Sequence, residues 1–126
     1  MEEIILLVDD DPVANLINSK IVKNILPGST LKIFENGQLA FEFLQSNPKN
    51  HYRILLDLNM PVLNGWGFLE KIQDLDFSDG LKVHILSSSS DSKDIEKSKN
   101  FPQVGSYTIK PLTPTTFKGI LESGAK

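Results

Sequence analysis

Short apolar runs alternate along this chain with longer stretches of helical spacing, and this alternation is what most constrains the fold. Five runs predict strands, at residues 4–8, 31–34, 54–56, 83–86 and 106–109. The first run, Ile-Ile-Leu-Leu-Val, is continuous, which is typical of a strand covered on both faces. Strands that alternate with about five helices predict right-handed crossovers and a parallel sheet.

The helical stretches begin at residues that favour helix starts. The predicted starts are Asp11-Pro12, Asn36-Gly37, Asn64-Gly65 and Thr113-Pro114. After the first start, apolar residues follow at helical spacing, namely Val13, Leu16, Ile17, Ile21, Ile25 and Leu26. The stretch 91–100 is nearly all polar, with Ile95 as its only apolar anchor. We expect that segment to be weakly held and prone to shift or fray.

Composition excludes several classes of protein. The length of 126 residues predicts one domain, 1–126. With no cysteine there is no disulfide framework, thiolate zinc site or cysteine nucleophile. The net charge of −3 and scattered basic residues give no nucleic-acid footprint. Apolar runs of about five residues are too short to cross a membrane, and an acidic start is not a secretory signal. We therefore expect a cytoplasmic protein.

Polar residues stand directly after the predicted strands. They are Asp9, Asp10 and Asp11 after the first, Asp57 after the third, Ser87, Ser88 and Ser89 after the fourth, and Lys110 after the fifth. Ligands of such sheets bind beyond the carboxyl ends of the strands, at the switch point of the topology. The sequence therefore predicts a polar site at one edge of the sheet.

The aspartates suggest a metal site. Carboxylates brought together from two strands repel one another and raise at least one pKa, and a hard cation such as Mg²⁺ relieves the repulsion. Alternatively, Asp9, Asp10 and Asp11 only cap a helix. Asp57 favours the metal, because it ends a different buried strand with no helix directly after it.

Three further residues each have two interpretations. The loop after Asp57 could aim the Asn59 carbonyl at a metal, or it could be a simple turn. Lys110 could contact a phosphoryl oxygen or Asp57, or it could be an exposed lysine at a strand end. Ser87 could donate to a phosphoryl oxygen, or it could belong to a loop and helix cap. Together these residues indicate phosphoryl transfer onto Asp57, which would give an acyl phosphate.

The same residues resemble a known family. Residues 5–12, 57–65, 87–89 and 110–111 are similar, in order and spacing, to the receiver domains of bacterial two-component response regulators. The likeness covers essentially the whole chain. It implies a flavodoxin-like, doubly wound α/β fold with a five-stranded parallel sheet in the order 2-1-3-4-5.

The resemblance also implies roles for the site residues. Asp57 would be the phosphoacceptor, and Asp10 the main acidic ligand of Mg²⁺, with Asp9 supporting it through water. The Asn59 carbonyl would be the third protein ligand. Lys110 matches the lysine of the family.

Two further residues match the switch of the family, and the resemblance names the partners. Ser87 stands where the family has threonine or serine, and Tyr107 stands at its switch aromatic. The donor would be a histidine kinase or a histidine phosphotransfer protein, and a further protein would receive the signal. Neither nucleic acid nor a membrane is expected as a direct partner.

We expect the phosphate to become a signal through a shift between two conformations. The phosphoryl group would pull the Ser87 hydroxyl inward, and Tyr107 would then turn in from the surface. The face formed by helix 91–100, the fifth strand and the last helix would change shape for a partner protein. Such a receiver is not expected to be an enzyme beyond its own phosphorylation and dephosphorylation.

Other functions fit the sequence less well. A magnesium-dependent hydrolase with an aspartate nucleophile needs an acid two residues later, where this chain has Asn59. A flavin-binding protein needs a loop that cradles phosphate after the first strand. Here Asp9, Asp10 and Asp11 stand at that place, and their negative charge would repel phosphate without a metal. A pseudo-receiver, which only binds partners, would not need Asp57 together with the acidic pair, Ser87 and Lys110. A stand-alone receiver is expected, with a fragment of a longer regulator or hybrid kinase as the alternative.

Overall fold

The computed structural model describes residues 3–48, 50–77 and 80–123. The strands are β1 (Glu3–Val8), β2 (Thr30–Phe34), β3 (His51–Leu56), β4 (Leu81–Ser87) and β5 (Val104–Ile109). The helices are α1 (Pro12–Ile25), α2 (Gly37–Ser46), α3 (Gly65–Ile72), α4 (Ser92–Ser98) and α5 (Pro114–Ser123). All strand pairs are parallel and the order is β2-β1-β3-β4-β5, which confirms the predicted fold class.

Helices cover both faces of the sheet, and this explains the continuous apolar run of β1. Ile4, Leu6 and Val8 pack into a core beneath α2 and α3, whereas Ile5 and Leu7 pack into a second core beneath α1 and α5. Alternate residues of one strand therefore serve opposite cores. Within the described ranges, no helix is long and apolar enough to span a membrane.

All four predicted helix starts are capped as expected, and at α5 the Thr113 side chain accepts from the Thr116 N–H at 3.1 Å. The side chains of Asp11, Asn36 and Asn64 accept hydrogen bonds from backbone N–H groups in the first turns of α1, α2 and α3. Each cap satisfies a donor that has no partner within its helix. These caps fix where each helix leaves the edge of the sheet.

The helical spacing of α1 does not show which apolar residues are buried. Val22 is fully buried, but Val13, Leu16 and Ile17 are 63%, 57% and 53% exposed. The first two turns of α1 thus carry apolar side chains on the surface, next to the carboxyl edge of the sheet. A contiguous apolar surface of this kind often marks a binding site.

The short helix α4 is anchored by few buried groups. Ser98 is its one buried residue, and Ile95 is only half-buried. Its start is capped by Asp91, whose side chain accepts from the Lys93 N–H. The weak burial agrees with the polar sequence, while the expected shift of this helix stays a prediction.

Gly65 packs directly against the backbone that carries Asp57. Its N–H donates to the Leu58 carbonyl at 2.9 Å. A Cβ at this position would lie 2.7 Å from the Asp57 carbonyl oxygen and 2.8 Å from the Leu58 Cα. Both distances are shorter than atoms tolerate, so a larger residue would push α3 away from the site.

Gly65→Ala is expected to lower the free energy of unfolding by about 2 kcal/mol, because backbone atoms must move to admit the methyl group. Gly119→Ala is the matched control, since an added Cβ in α5 meets nothing within 4 Å. That variant should gain about 0.5–1 kcal/mol from helix propensity. Urea unfolding measures both. Equal stabilities of the two variants would refute the close approach at Gly65.

Candidate functional site

Three carboxylates meet at the carboxyl edge of the two central strands. Asp9 and Asp10 follow β1 and Asp57 follows β3, its neighbour in the sheet. One carboxylate oxygen from each lies within 4.8 Å of the other two. Asp9 and Asp57 are buried, whereas Asp10 is exposed. The structure therefore brings together the acidic residues singled out from the sequence, and the cluster could hold a metal ion.

Asp9 is fixed from three sides. One carboxylate oxygen accepts from the Asp11 N–H at 3.0 Å, and the other accepts from Lys110 Nζ at 2.9 Å. The Asp9 carbonyl accepts from Asn15 Nδ2 at 2.8 Å. These contacts leave the carboxylate little freedom, so Asp9 is held in position to support a ligand group.

Lys110 bridges two of the carboxylates. Its Nζ lies 2.9 Å from Asp9 Oδ2 and 3.5 Å from Asp57 Oδ1, and its side chain is only 25% exposed. The Lys110 N–H donates to the Ser87 carbonyl, and the peptide bond to Pro111 is cis. The interpretation of Lys110 as an exposed lysine at a strand end is therefore wrong.

The electrostatics of the cluster reflect an excess of negative charge. Burial raises the pKa of Asp57, and the charge of Asp9 raises it further. Lys110 and a hydrogen bond from the Asn59 backbone act in the opposite direction but do not cancel the rise. Burial alone would lower the pKa of Lys110, but contacts with Asp9 and Asp57 raise it overall. A divalent cation would relieve the repulsion between these carboxylates, which the single charge of Lys110 does not balance.

Ser87 and Tyr107 are connected through a single residue, Ser89. The buried Ser87 hydroxyl accepts from the Ser89 N–H at 3.1 Å, and the Tyr107 hydroxyl donates to the Ser89 carbonyl at 2.8 Å. Ser89 is tied in turn to α4, because its hydroxyl donates to Asp94 at 2.8 Å. The β4–α4 loop thus joins strand β4, strand β5 and helix α4.

The expectation that Tyr107 begins at the surface is wrong for this structure. Tyr107 is half-buried and packs against the core beneath α2 and α3, with its hydroxyl already bonded to the loop. A hydrogen-bond acceptor at the right distance stabilises the inward position. The position of the ring is therefore tied to the β4–α4 loop, and a movement of Tyr107 on phosphorylation stays a prediction.

A buried polar network lies away from this edge, and the sequence predicts only one of its members. Arg53 in β3 is 5% exposed and contacts Glu3, His84 and the Ile120 carbonyl. The other nitrogen of His84 contacts the Ser106 hydroxyl at 2.8 Å. A mid-strand position predicts a buried histidine at 84, but no sequence signal distinguishes a buried arginine from an exposed one.

The family of the chain follows from comparison with known proteins. A profile of the response regulator receiver domain matches residues 5–122. The chain belongs to this family. The crystal structure of a two-component response regulator from Cytophaga hutchinsonii is similar, with a TM-score of 0.85 and 26% identity, covering 96% of this chain and 95% of that one.

Curated relatives contain similar domains within longer proteins. A protein-glutamate methylesterase/protein-glutamine glutaminase from Paramagnetospirillum magneticum is 30% identical over 117 residues, or 91% of this chain. Hybrid signal transduction histidine kinase M from Dictyostelium discoideum is 32% identical over 91 residues, or 70% of this chain. The chain spans 29% of the first protein and 4% of the second.

Proposed function

We propose that this receiver domain accepts a phosphoryl group on Asp57 from a histidine kinase or a histidine phosphotransfer protein. The observation that carries the proposal is the placement of the Asp57 carboxylate. It is buried, clusters with Asp9 and Asp10, and lies 3.5 Å from Lys110. We further propose a cytoplasmic signalling role in which the chain acts on no substrate beyond its own carboxylate.

The chemistry is a displacement at phosphorus. An Asp57 oxygen forms a bond to phosphorus while the bond to the donor histidine nitrogen breaks, and the electron pair leaves with the imidazole. Lys110 would shift its contact from Asp57 to a phosphoryl oxygen, and the Ser87 hydroxyl would donate to another. The transferred group thus meets donors held in place by two strands.

Magnesium suits the donor set of the acidic cluster. Asp9, Asp10 and Asp57 offer hard oxygen ligands with a net charge that one lysine does not balance. The Asn59 carbonyl would supply a further oxygen. When bound, Mg²⁺ would neutralise charge on the phosphoryl oxygens and the nucleophile.

The exposed start of α1 would bind the protein that donates the phosphoryl group. Val13 and Ile17 line a depression of about 220 Å³ together with Lys110, Pro111 and Leu112. Lys110 also contacts the phosphoacceptor. A donor resting on these apolar residues would have its phosphohistidine close to the carboxylate, so apolar contact and phosphoryl transfer would occur together.

Intact mass after incubation with Mg²⁺ and acetyl phosphate tests the proposal. We expect one phosphoryl adduct that disappears when the metal is chelated. Hydroxylamine should remove it, because that reagent cleaves acyl phosphates. An adduct formed without metal would contradict the proposal. Steady release of phosphate from several organic phosphomonoesters would instead indicate a hydrolase.

We propose that the signal passes through the Ser89 peptide. When the Ser87 hydroxyl turns to a phosphoryl oxygen, the Ser89 N–H loses its acceptor, and a half-buried donor without a partner is unfavourable. The loop then rearranges, which moves the carbonyl that accepts from Tyr107 and the hydroxyl that holds Asp94. The surface of α4, β5 and α5 changes as a result, and a partner protein would recognise it.

Ser87→Ala is expected to uncouple phosphorylation from this movement. Trp66 is the one tryptophan of the chain, stacks on Phe101, and lies under Lys97 of α4 at 4.5 Å. Its emission should therefore report the position of α4. We expect phosphorylation to change the emission of the wild type and to lose most of that effect in Ser87→Ala.

The matched control for this experiment is Ser88→Ala, at an exposed neighbour. It should keep the full emission change. Intact mass confirms that each variant carries the adduct, so that a failure to accept phosphate is not mistaken for uncoupling. A Ser87→Ala protein that accepts phosphate and shows the full emission change would rule out the proposed route.

A further inference from the structure

A groove lies on the side of α1 away from β5. Residues of β2 form its floor, α1 and α2 form its walls, and its volume is about 590 Å³. β2 is one of the two edge strands of the sheet, so no strand covers this side. The volume is within the range of sites that bind small molecules or partner side chains.

Three large aliphatic side chains from three different elements line this groove. Leu16 of α1, Ile33 of β2 and Leu39 of α2 are 57%, 48% and 42% exposed. Single exposed apolar residues are common, but three that share one concave surface form a patch. Their exposure would be relieved by an apolar surface placed against the groove.

The rim of the groove is acidic. Asp10 and Glu35 line it, and no lysine or arginine is among the described residues that do so. Glu35 is exposed, and no ion pair is found for it in the part of the chain that the structure describes. The groove therefore presents negative charge beside apolar walls, which favours a positively charged group on an apolar stem.

An independent observation comes from Asn15, which also lines the groove. The residue is 6% exposed, and its Nδ2 donates to the Asp9 carbonyl. Its Oδ1 is buried and has no hydrogen-bond partner among residues 3–48, 50–77 and 80–123. An unsatisfied buried acceptor is costly, and a small turn of the Asn15 side chain would let a donor in the groove supply the missing bond.

We propose that this groove binds a lysine side chain of a partner protein, flanked by apolar residues of the same segment. The ammonium group would lie between Asp10 and Glu35 and donate to Asn15. The flanking side chains would cover Leu16, Ile33 and Leu39. A free amine would leave most of these walls exposed, which is why a protein segment fits the groove better.

Proton–nitrogen NMR correlation spectra of the full chain test this proposal. The probe is the blocked peptide acetyl-Leu-Lys-Leu-Leu-amide, with glutamate in place of lysine in the control peptide. We expect saturable shifts at the groove residues with the lysine peptide only. Shifts centred elsewhere, or equal binding of the glutamate peptide, would overturn the proposal.

Two matched variants sharpen the result. Glu35→Gln keeps the shape of the rim and should weaken the lysine peptide about threefold, as expected for one exposed charge pair. Glu70→Gln, at an exposed glutamate on α3, should leave the affinity unchanged. Equal affinity of both variants would contradict the role of Glu35.

Butylammonium distinguishes a partner protein from a free amine. It carries the head of a lysine side chain without the flanking leucines, so it should bind clearly more weakly than the peptide. Binding as tight as that of the peptide would overturn the assignment to a protein partner. Since the probe binds without phosphorylation, these results are independent of the proposed phosphoacceptor function.

Discussion

Asp57→Asn is expected to abolish the phosphoryl adduct formed with Mg²⁺ and acetyl phosphate. The amide nitrogen of asparagine is a poor nucleophile because its electron pair is delocalised, and the amide carries no charge to hold a metal ion. The side chains have nearly the same shape, so the hydrogen bond from the Asn59 backbone can persist. Intact mass should show only the unmodified protein.

The same variant should fold at least as well as the wild type. The raised pKa of Asp57 means that its ionised form is held at a cost near neutral pH, chiefly through burial and the charge of Asp9. A neutral amide avoids that cost. Without metal, urea unfolding should give an equal or larger free energy of unfolding for Asp57→Asn.

Asp74→Asn is the control for both measurements. Asp74 is exposed and lies after α3, outside the acidic cluster. This variant should accept one phosphoryl group like the wild type. If the adduct persists in Asp57→Asn, another residue is the phosphoacceptor and the proposed function of Asp57 is wrong.

His84 is expected to make the protein less stable in acid. Arg53 is a permanent donor, so Nε2 of His84 must accept, and Nδ1–H donates to Ser106. Burial, followed by the charges of Arg53 and Lys82, lowers the pKa of His84 from 6.5 to about 4. Protonation would place an imidazolium against a guanidinium.

The sign of the effect follows from proton binding. The unfolded chain takes up a proton at His84 near pH 6.5, before the folded protein does at about 4. Stability is therefore full above the unfolded pKa and is lost as the pH falls between these two values. The loss should reach about 2–3 kcal/mol by pH 4.5.

Urea unfolding at pH 7 and pH 4.5 measures this loss, and His84→Gln isolates it from other titrating groups. The variant should lose about 2–3 kcal/mol less than the wild type on acidification. His51→Gln, at an exposed histidine, should keep the dependence of the wild type. Identical pH profiles for His84→Gln and the wild type would show that His84 does not titrate as argued.

The carboxyl edge of the sheet could be predicted because it depends on local order along the chain. Each apolar run ends in a polar residue, and parallel strands deliver those ends to one place. This reasoning placed Asp9, Asp10, Asp57 and Lys110 together, as the structure does. Their roles in binding metal and phosphate remain predictions.

Other features depend on how distant elements pack, which local patterns do not encode. Leu16 and Val22 occupy the same helix with the same apolar character, but only Val22 meets the second core. Arg53 is buried because Glu3, His84 and α5 happen to surround it. The bond between Tyr107 and Ser89 likewise joins residues far apart in the chain.

The contacts of Arg53 hold one part of the domain more firmly than another. Its guanidinium touches β1, β4 and the carbonyl of Ile120 in α5, so sliding α5 over the sheet would strip contacts from a buried cation. At the other end of the surface formed by α4, β5 and α5, the described residues include no such buried cation, and Ser98 is the one buried residue of α4. We therefore expect α5 to keep its position on the sheet, and α4 to move more easily when this surface changes shape.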